Sequence, residues 1–257
     1  MTDEMSAPYT LSADIYDLLY VGAGVKDFVA EAAEIDGLIH ERNPEARSLL
    51  DVACGTGQHL ALLRDRYEVA GVDVSEAMLG VARERLPGVL LQRADMRSFE
   101  LGRTFDAVTC LFSSIGYLTD PEDMRAAFGR FATHLAPGGV LVVDGWIRPD
   151  GWRDAYLPGM EHAARDGREV FRLVESRREG RITSLTEHHL VRDASGIRHF
   201  VEEHVLALTP TAEYVRAAEG AGLHVEVIAG FMPDRDRIVG VKPRALAATP
   251  ENRSTSL

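Results

Sequence analysis

The sequence predicts an α/β fold, a doubly wound, mostly parallel sheet carrying an inserted antiparallel sheet. The decisive stretch is Leu49-Leu50-Asp51-Val52-Ala53-Cys54-Gly55-Thr56-Gly57-Gln58-His59-Leu60. An apolar run ends at an acid, breaks into a Gly-x-Gly turn and resumes with helical spacing. That is a buried strand, a tight loop and a helix start, and glycine lets backbone approach a ligand closely. Downstream, short apolar runs keep alternating with helix-like segments as far as Asp144. Beyond it the period changes to the charged alternation of antiparallel strands.

The elements follow in order. Residues 11–38 carry apolar side chains at helical spacing, interrupted at Gly22 and Gly24. Residues 48–53 form the first strand and 58–66 a helix. Residues 69–72 form a second strand ending at Asp73, and 75–86 a helix capped by Ser75. Residues 89–93 and 105–112 are further strands, and 121–135 is a helix that starts on Pro121. Pro137-Gly138-Gly139 turns the chain into a fifth strand at 140–143. Three antiparallel strands are expected at 169–176, 182–191 and 197–208. A helix then runs from Thr209-Pro210 to Ala221 and stops at Gly222, and 223–228 with 238–241 complete a seven-stranded sheet. Residues 9–145 and 209–243 therefore make one Rossmann-like domain. Residues 165–208 are an insertion that covers the site, meets a second subunit, or both.

The 257 residues carry a net charge of −12, which argues against a nucleic-acid partner because a phosphate backbone needs a basic face. No segment approaches the roughly 18 consecutive apolar residues of a membrane helix. The acidic N-terminus lacks the apolar stretch of a signal peptide. Cys54 and Cys110, both in apolar runs, are expected as buried thiols in a reducing cytoplasm. No Cys/His/Asp cluster accompanies His188-His189, so no metal is expected and the pair reads as a surface feature with one ring in and one out. Arg177, Arg178 and Arg181 read as a solvated hairpin tip.

The chemistry begins at the strand ends. Asp73 occupies the position where a carboxylate can accept both hydroxyls of a ribose. Asp95 can take an adenine amine while Met96 stacks on the ring. Together they suggest an adenosine ligand. A dinucleotide site prefers a third glycine where this chain has Leu60, and Asp51 would repel a pyrophosphate. Asp51 suits a ligand bearing ammonium and sulfonium charges, which favours S-adenosylmethionine over NAD.

These residues resemble the class I S-adenosylmethionine-dependent methyltransferases: Asp51 to Gly57 is similar to their first motif, with Asp73 as the ribose acid and Asp95 as the adenine acid. A resemblance from about Ile15 to Val241 is narrower. Ile15-Tyr16-Asp17-Leu18-Leu19-Tyr20, Asp95-Met96-Arg97-Ser98-Phe99 and Val108-Thr109-Cys110-Leu111-Phe112-Ser113-Ser114-Ile115-Gly116-Tyr117-Leu118 are similar to the bacterial TDP-amino-sugar N,N-dimethyltransferases. The resemblance implies methylation of a sugar amine in antibiotic biosynthesis by a homodimer. It implies donor contacts from Tyr16, Asp51, Ala53, Cys54, Gly55, Gly57, His59, Asp73, Val74, Met78, Asp95, Met96 and Leu111. Ser113, Ser114, Trp146 and Arg235 fall on the acceptor side. Trp146, like Trp152, fits an acceptor pocket or a dimer seam.

Two segments depart from the family pattern. Asp144-Gly145-Trp146-Ile147-Arg148-Pro149 replaces Glu-Pro-Trp-Trp-Phe-Pro. Phe231-Met232-Pro233-Asp234-Arg235-Asp236-Arg237-Ile238 replaces Gly-Pro-Ser-Gly-Arg-Gly-Leu-Phe. Arg235 aligns with a phosphate-binding arginine, but acids flank it. Tyr117 stands where histidine is frequent, a tyrosine some members share. Methyl transfer from a sulfonium is an in-line displacement governed by alignment and exclusion of water. Tyr117 and Tyr9 are therefore expected to orient the amine rather than act as strong bases. The rivals are a methyltransferase for another small metabolite and a non-catalytic adenosine-binding protein.

Overall fold

The computed structural model describes residues 7–22, 26–153 and 161–244. Gly24 lies outside them. The main sheet has seven strands: β1 (Ser48–Val52), β2 (Glu68–Asp73), β3 (Leu90–Arg93), β4 (Phe105–Cys110), β5 (Leu135–Asp144), β10 (His224–Met232) and β11 (Arg235–Val241). Their order is β10-β11-β5-β4-β1-β2-β3, and β11 alone runs antiparallel to both its neighbours. β1 pairs with β2 on one side and β4 on the other, so the direction of winding reverses there. A doubly wound sheet opens its ligand crevice at that reversal, beyond the carboxyl ends of the strands.

Alternation along the central strands feeds both layers, because successive side chains leave opposite faces. Leu50, Val72, Val108 and Leu141 pack against α4 (Pro121–His134) and α5 (Thr211–Gly220), with Phe128, Phe131 and Tyr214 between them. Leu49, Val69, Ala107 and Val140 pack the other way, against α1 (Phe28–Arg42), α2 (Gln58–Leu63) and α3 (Glu76–Arg85). Helix starts follow the local sequence: Asp120 accepts from the Glu122 amide at 2.7 Å ahead of Pro121, and Ser75 caps α3 through the Met78 amide.

The second sheet has four strands where three were expected: β6 (Glu161–Arg165), β7 (Arg168–Glu179), β8 (Ile182–Asp193) and β9 (Gly196–Ala207), paired in chain order. β6 is short and ends in Ala163-Ala164-Arg165, so neither propensity nor alternation marks it. Pro137-Gly138-Gly139 also differs from expectation. It lies within β5, whose pairing with β4 is irregular there, and Gly138 keeps a turn-like φ of 81°.

The polarity of the second sheet is inverted at its centre. Arg172, Glu187, His189, Glu202 and His204 point inward and are buried, while Leu173, Leu190, Ile197, Val201 and Val205 are exposed. His188 does face outward, stacked on His199, but His189 is fully buried beside Glu187, so the two histidines are not a surface pair. Arg181 likewise is no free hairpin tip, since it docks onto Glu213 and Thr209 at the start of α5.

Candidate active site

The crevice beyond β1, β2 and β4 holds adjoining cavities. The outer one, about 290 Å³, is lined by Ala53, Gly55, Asp73, Val74, Met78, Asp95, Met96 and Tyr16. A narrower one of about 50 Å³ continues inward past Asp51, Cys54, His59, Leu111 and Ser114. A third, about 240 Å³, lies under the antiparallel sheet and is lined by Ser113, Trp146, Arg235, Lys26, Arg172 and Glu187. Tyr9 and Tyr117 line all of them.

The donor side is built by the glycine loop and the strand ends. Asp73 is fixed by amides: Gly55 donates to its Oδ2 and Ser75 to its Oδ1, each at 2.8 Å. Burial pushes its carboxyl up and these amides pull it back. A carboxylate has about four acceptor sites, so capacity remains for ribose hydroxyls. Asp51 is buried, accepts from the Thr109 hydroxyl at 2.7 Å, and burial pushes its carboxyl up to about 6 against the pull of His59 and Thr109. Such a group gains from a cation placed against it. His59 lies 3.0 Å from Glu31, which also holds Lys26 at 2.8 Å, so a chain of polar contacts joins the narrow cavity to the acceptor side.

Asp95 does reach the outer cavity, but Arg97 grips it through contacts of 2.6–3.0 Å and also binds Asp123 at 2.8 Å. That grip holds its carboxyl below the usual range, although burial opposes it. An adenine amine would share Asp95 with Arg97. Gly57 lines none of the cavities. It caps α2 at φ 75°, and a Cβ there would meet Leu86 Cδ1 at 2.8 Å. Its left-handed backbone shapes the turn that opens α2. Cys54 is buried against the narrow cavity, and its thiol is pushed well up by burial.

The N-terminal segment closes over the crevice. Thr56 donates to Asp17 at 2.8 Å, and Arg85 binds both Asp17 and the Thr56 carbonyl. This ties the glycine loop to the turn of π-helix at Leu18–Gly22, placing Tyr16 and Tyr20 over the site. The Leu11 amide donates to Glu202 at 2.7 Å, fixing Tyr9, whose ring lies 5.2 Å from Tyr16 and 4.5 Å from His204. Burial raises the phenols of Tyr9, Tyr16 and Tyr117 well above their ordinary value, so all three stay neutral donors.

On the acceptor side, Ser113 adopts φ 63°, donates to the Gly145 carbonyl at 2.8 Å and accepts from Arg235 at 3.2 Å. Ser114 donates to the Leu111 carbonyl and faces the donor cavities rather than the acceptor one. The Arg235 guanidinium sits 4.5 Å from the Trp146 ring. Its flanking acids turn to Arg148 instead, Asp236 at 2.7 Å and Asp234 at 3.8 Å. The departure at 144–149 supplies that arginine. Lys26, Arg172, Glu187 and His204 were not anticipated from the sequence. For Arg172, Glu187 and His204 the only signal was an ionisable residue in step with apolar neighbours such as Val170, Leu185, Val191 and Leu206, and Lys26, outside the strands, gave none.

A methyltransferase-domain family matches residues 49–139. The dTDP-3-amino-3,4,6-trideoxy-alpha-D-glucopyranose N,N-dimethyltransferase of Streptomyces venezuelae is 47% identical over 231 residues, 89% of this chain and 97% of the relative. The chain belongs to this family of sugar N,N-dimethyltransferases. It is an S-adenosylmethionine-dependent methyltransferase. A family member that acts on a dTDP-4-amino-2,3,4,6-tetradeoxy-D-glucose, from Saccharopolyspora spinosa, is 41% identical, covering 90% of this chain and 92% of its own. The structure of CalS10 with S-adenosylmethionine bound, an amino pentose methyltransferase from Micromonospora echinaspora, aligns with TM-score 0.79 at 42% identity, over 89% of this chain and 96% of that one. The cavity chemistry fits that donor: buried carboxylates for a cation and a ribose, an apolar slot for a ring and, among the described residues that line it, no cluster of basic side chains for a phosphate.

Proposed function

We propose that this enzyme N,N-dimethylates the amine of a TDP-linked deoxyamino sugar in natural-product biosynthesis. The observation that carries the reading is that Tyr9 and Tyr117 line the donor and acceptor cavities alike. An amine bound between them faces the donor, with water excluded by the antiparallel sheet. S-adenosylmethionine supplies a methyl group already activated on a sulfonium. Asp73 and Asp95 would hold its nucleoside, and Asp51 its amino end. The chain's own work is to align the amine and keep the site dry. The relatives' names support the acceptor class. Arg235, which lines the acceptor cavity beside Trp146, is the residue to meet the nucleotide phosphates, with Lys26 and Arg172 in the same cavity. Trp146 and the Ser113–Arg235 contact form one wall.

The reading includes a homodimer. The outward face carries the exposed apolar residues Leu173, Leu190, Ile197, Val201 and Val205 between His188, His199 and Arg192, and a second copy is the covering that fits them. Light scattering on the purified chain is expected to give twice the chain mass, and a monomer would remove this part.

The deciding experiment is turnover of methyl-labelled S-adenosylmethionine with a panel of TDP-amino sugars, read by product mass. A gain of two methyl groups is expected. Donor binding without product on any of them would reject the acceptor class. Arg235→Ala is expected to raise KM for the TDP-linked acceptor about tenfold or more, the loss of one charge-assisted contact, while donor affinity holds.

A further inference from the structure

The antiparallel sheet carries a polar chain that methyl transfer by alignment does not use. The Tyr117 hydroxyl lies 2.9 Å from His204 Nδ1. On the far side of the ring, His204 Nε2 lies 3.8 Å from Glu187 and has no closer partner among the described residues. Glu187 in turn contacts Arg172 at 3.2 Å and His189 at 3.4 Å. Tyr9 covers the His204 ring with its own. Tyr117 and Glu187 both line the acceptor cavity. Tyr117 has a proton to give, His204 an atom placed to take it, and Glu187 a charge to hold the result.

We infer that His204, through the Tyr117 hydroxyl and backed by Glu187, is a proton route out of the acceptor cavity, so that the enzyme takes its amine acceptor as the ammonium ion as well as the free amine. The inference rests on the amine reading above. An ammonium has no lone pair and cannot attack a methyl group. In the closed site its N–H bond breaks toward Tyr117 Oη as the Tyr117 O–H bond breaks toward His204 Nδ1. The electron pair of the first bond stays on the amine nitrogen as its lone pair, and His204 becomes imidazolium. After the product leaves, the same bonds reverse and the proton passes from Tyr117 to water. The same exchange clears the proton released when an amine is methylated and must be methylated again.

The surroundings fit a ring that is neutral at rest and charged on demand. Burial lowers the affinity of His204 for a proton. Glu187 and Glu202 act the other way, and Arg172 and His189 oppose them. Burial would raise Glu187, yet the His189 ring 3.4 Å away and the Arg172 guanidinium hold its carboxyl at about 2, so it stays charged at neutral pH. The Tyr117 phenol is too weak an acid to hold a negative charge. It can only pass a proton on as it receives one. His204 touches no acceptor atom and is a positioning residue acting through Tyr117.

The test compares pH profiles of kcat/KM on a TDP-amino sugar for the native enzyme, His204→Asn and Tyr117→Phe. Asparagine can still accept the tyrosine hydrogen bond but cannot hold a proton. The native acidic limb is expected well below the ionisation of the free acceptor amine. In both variants it should rise to coincide with that ionisation, so that each pH unit below it costs about tenfold more than in the native enzyme, a displacement of the limb that a loss of stability alone would not produce. A uniform loss with an unshifted limb, or full rescue by asparagine, would overturn the route. A second measurement needs no acceptor and decides the pair if the amine reading itself fails. Nitrogen-15 spectra of the histidine rings should show His204 protonated on Nε2 and its Nδ1 resonance displaced in Tyr117→Phe. A proton on Nδ1 at neutral pH would reject it.

Discussion

The two sheets meet at one active site and are built on opposite rules. The main sheet buries its apolar side chains on both faces and offers the donor only what lies at its strand ends, backbone amides and short carboxylates. The antiparallel sheet buries ionic groups at its centre and exposes an apolar row. Donor recognition therefore depends on few residues close in sequence. The acceptor roof depends on a network whose members, from Tyr20 to His204, are far apart in the chain. A defect at a strand end should change binding and spare the fold. A defect in the roof should cost stability first.

The largest effect expected is Arg172→Ala. Arg172 donates to Tyr20 at 2.9 Å, to Glu161 at 2.6 Å and to Glu187 at 3.2 Å. Its removal strands two carboxylates in a buried site, a loss of about 3–5 kcal/mol, to be measured by urea unfolding. A change under about 1 kcal/mol would mean water reaches the roof and the contrast is overstated. Asp73→Ala comes next. Donor binding should weaken by about 1–3 kcal/mol in calorimetry as its charge-assisted contacts vanish, with little change in acceptor KM.

Asp51 gives a graded test. Burial pushes its carboxyl up to about 6 in the empty site, and a bound donor cation favours the charged form. Donor affinity should be flat above that pH and fall as pH drops through it, approaching tenfold per unit. Asp51→Asn should remove the slope, and a slope that survives would assign it to another group. The smallest effect is Gly57→Ala. A φ of 75° and contact with Leu86 should cost about 1–2 kcal/mol of stability. Because Gly57 is not in the lining of the donor or acceptor cavities described above, donor affinity should hold within about twofold, about 0.4 kcal/mol.

Legibility followed the same divide. Strand, loop and acid at Leu49–Gly57 and Asp73 are consecutive or one element apart, and local chemistry fixed both their structure and their place at the crevice. Alternation gave one ring of His188-His189 inward and one outward, as found, but not that the inward ring is fully buried, because only the packing of Arg172, Glu187 and Glu202 around the same space makes that burial tolerable. β6 was missed because a short strand of small and charged residues forms only when β7 is there to pair with it.

The sequence alone determined the parallel sheet, its glycine loop, the order of the acids along it and hence the class of donor, because each follows from periodicity or from backbone sterics over a few residues. Tertiary structure decided the rest. It brought Arg148 to Asp234 and Asp236, joined Arg97 to Asp123, and set His204 against Tyr117. The side chains of such pairs acquire a role only when distant strands bring them within a few ångströms in a space that water does not screen.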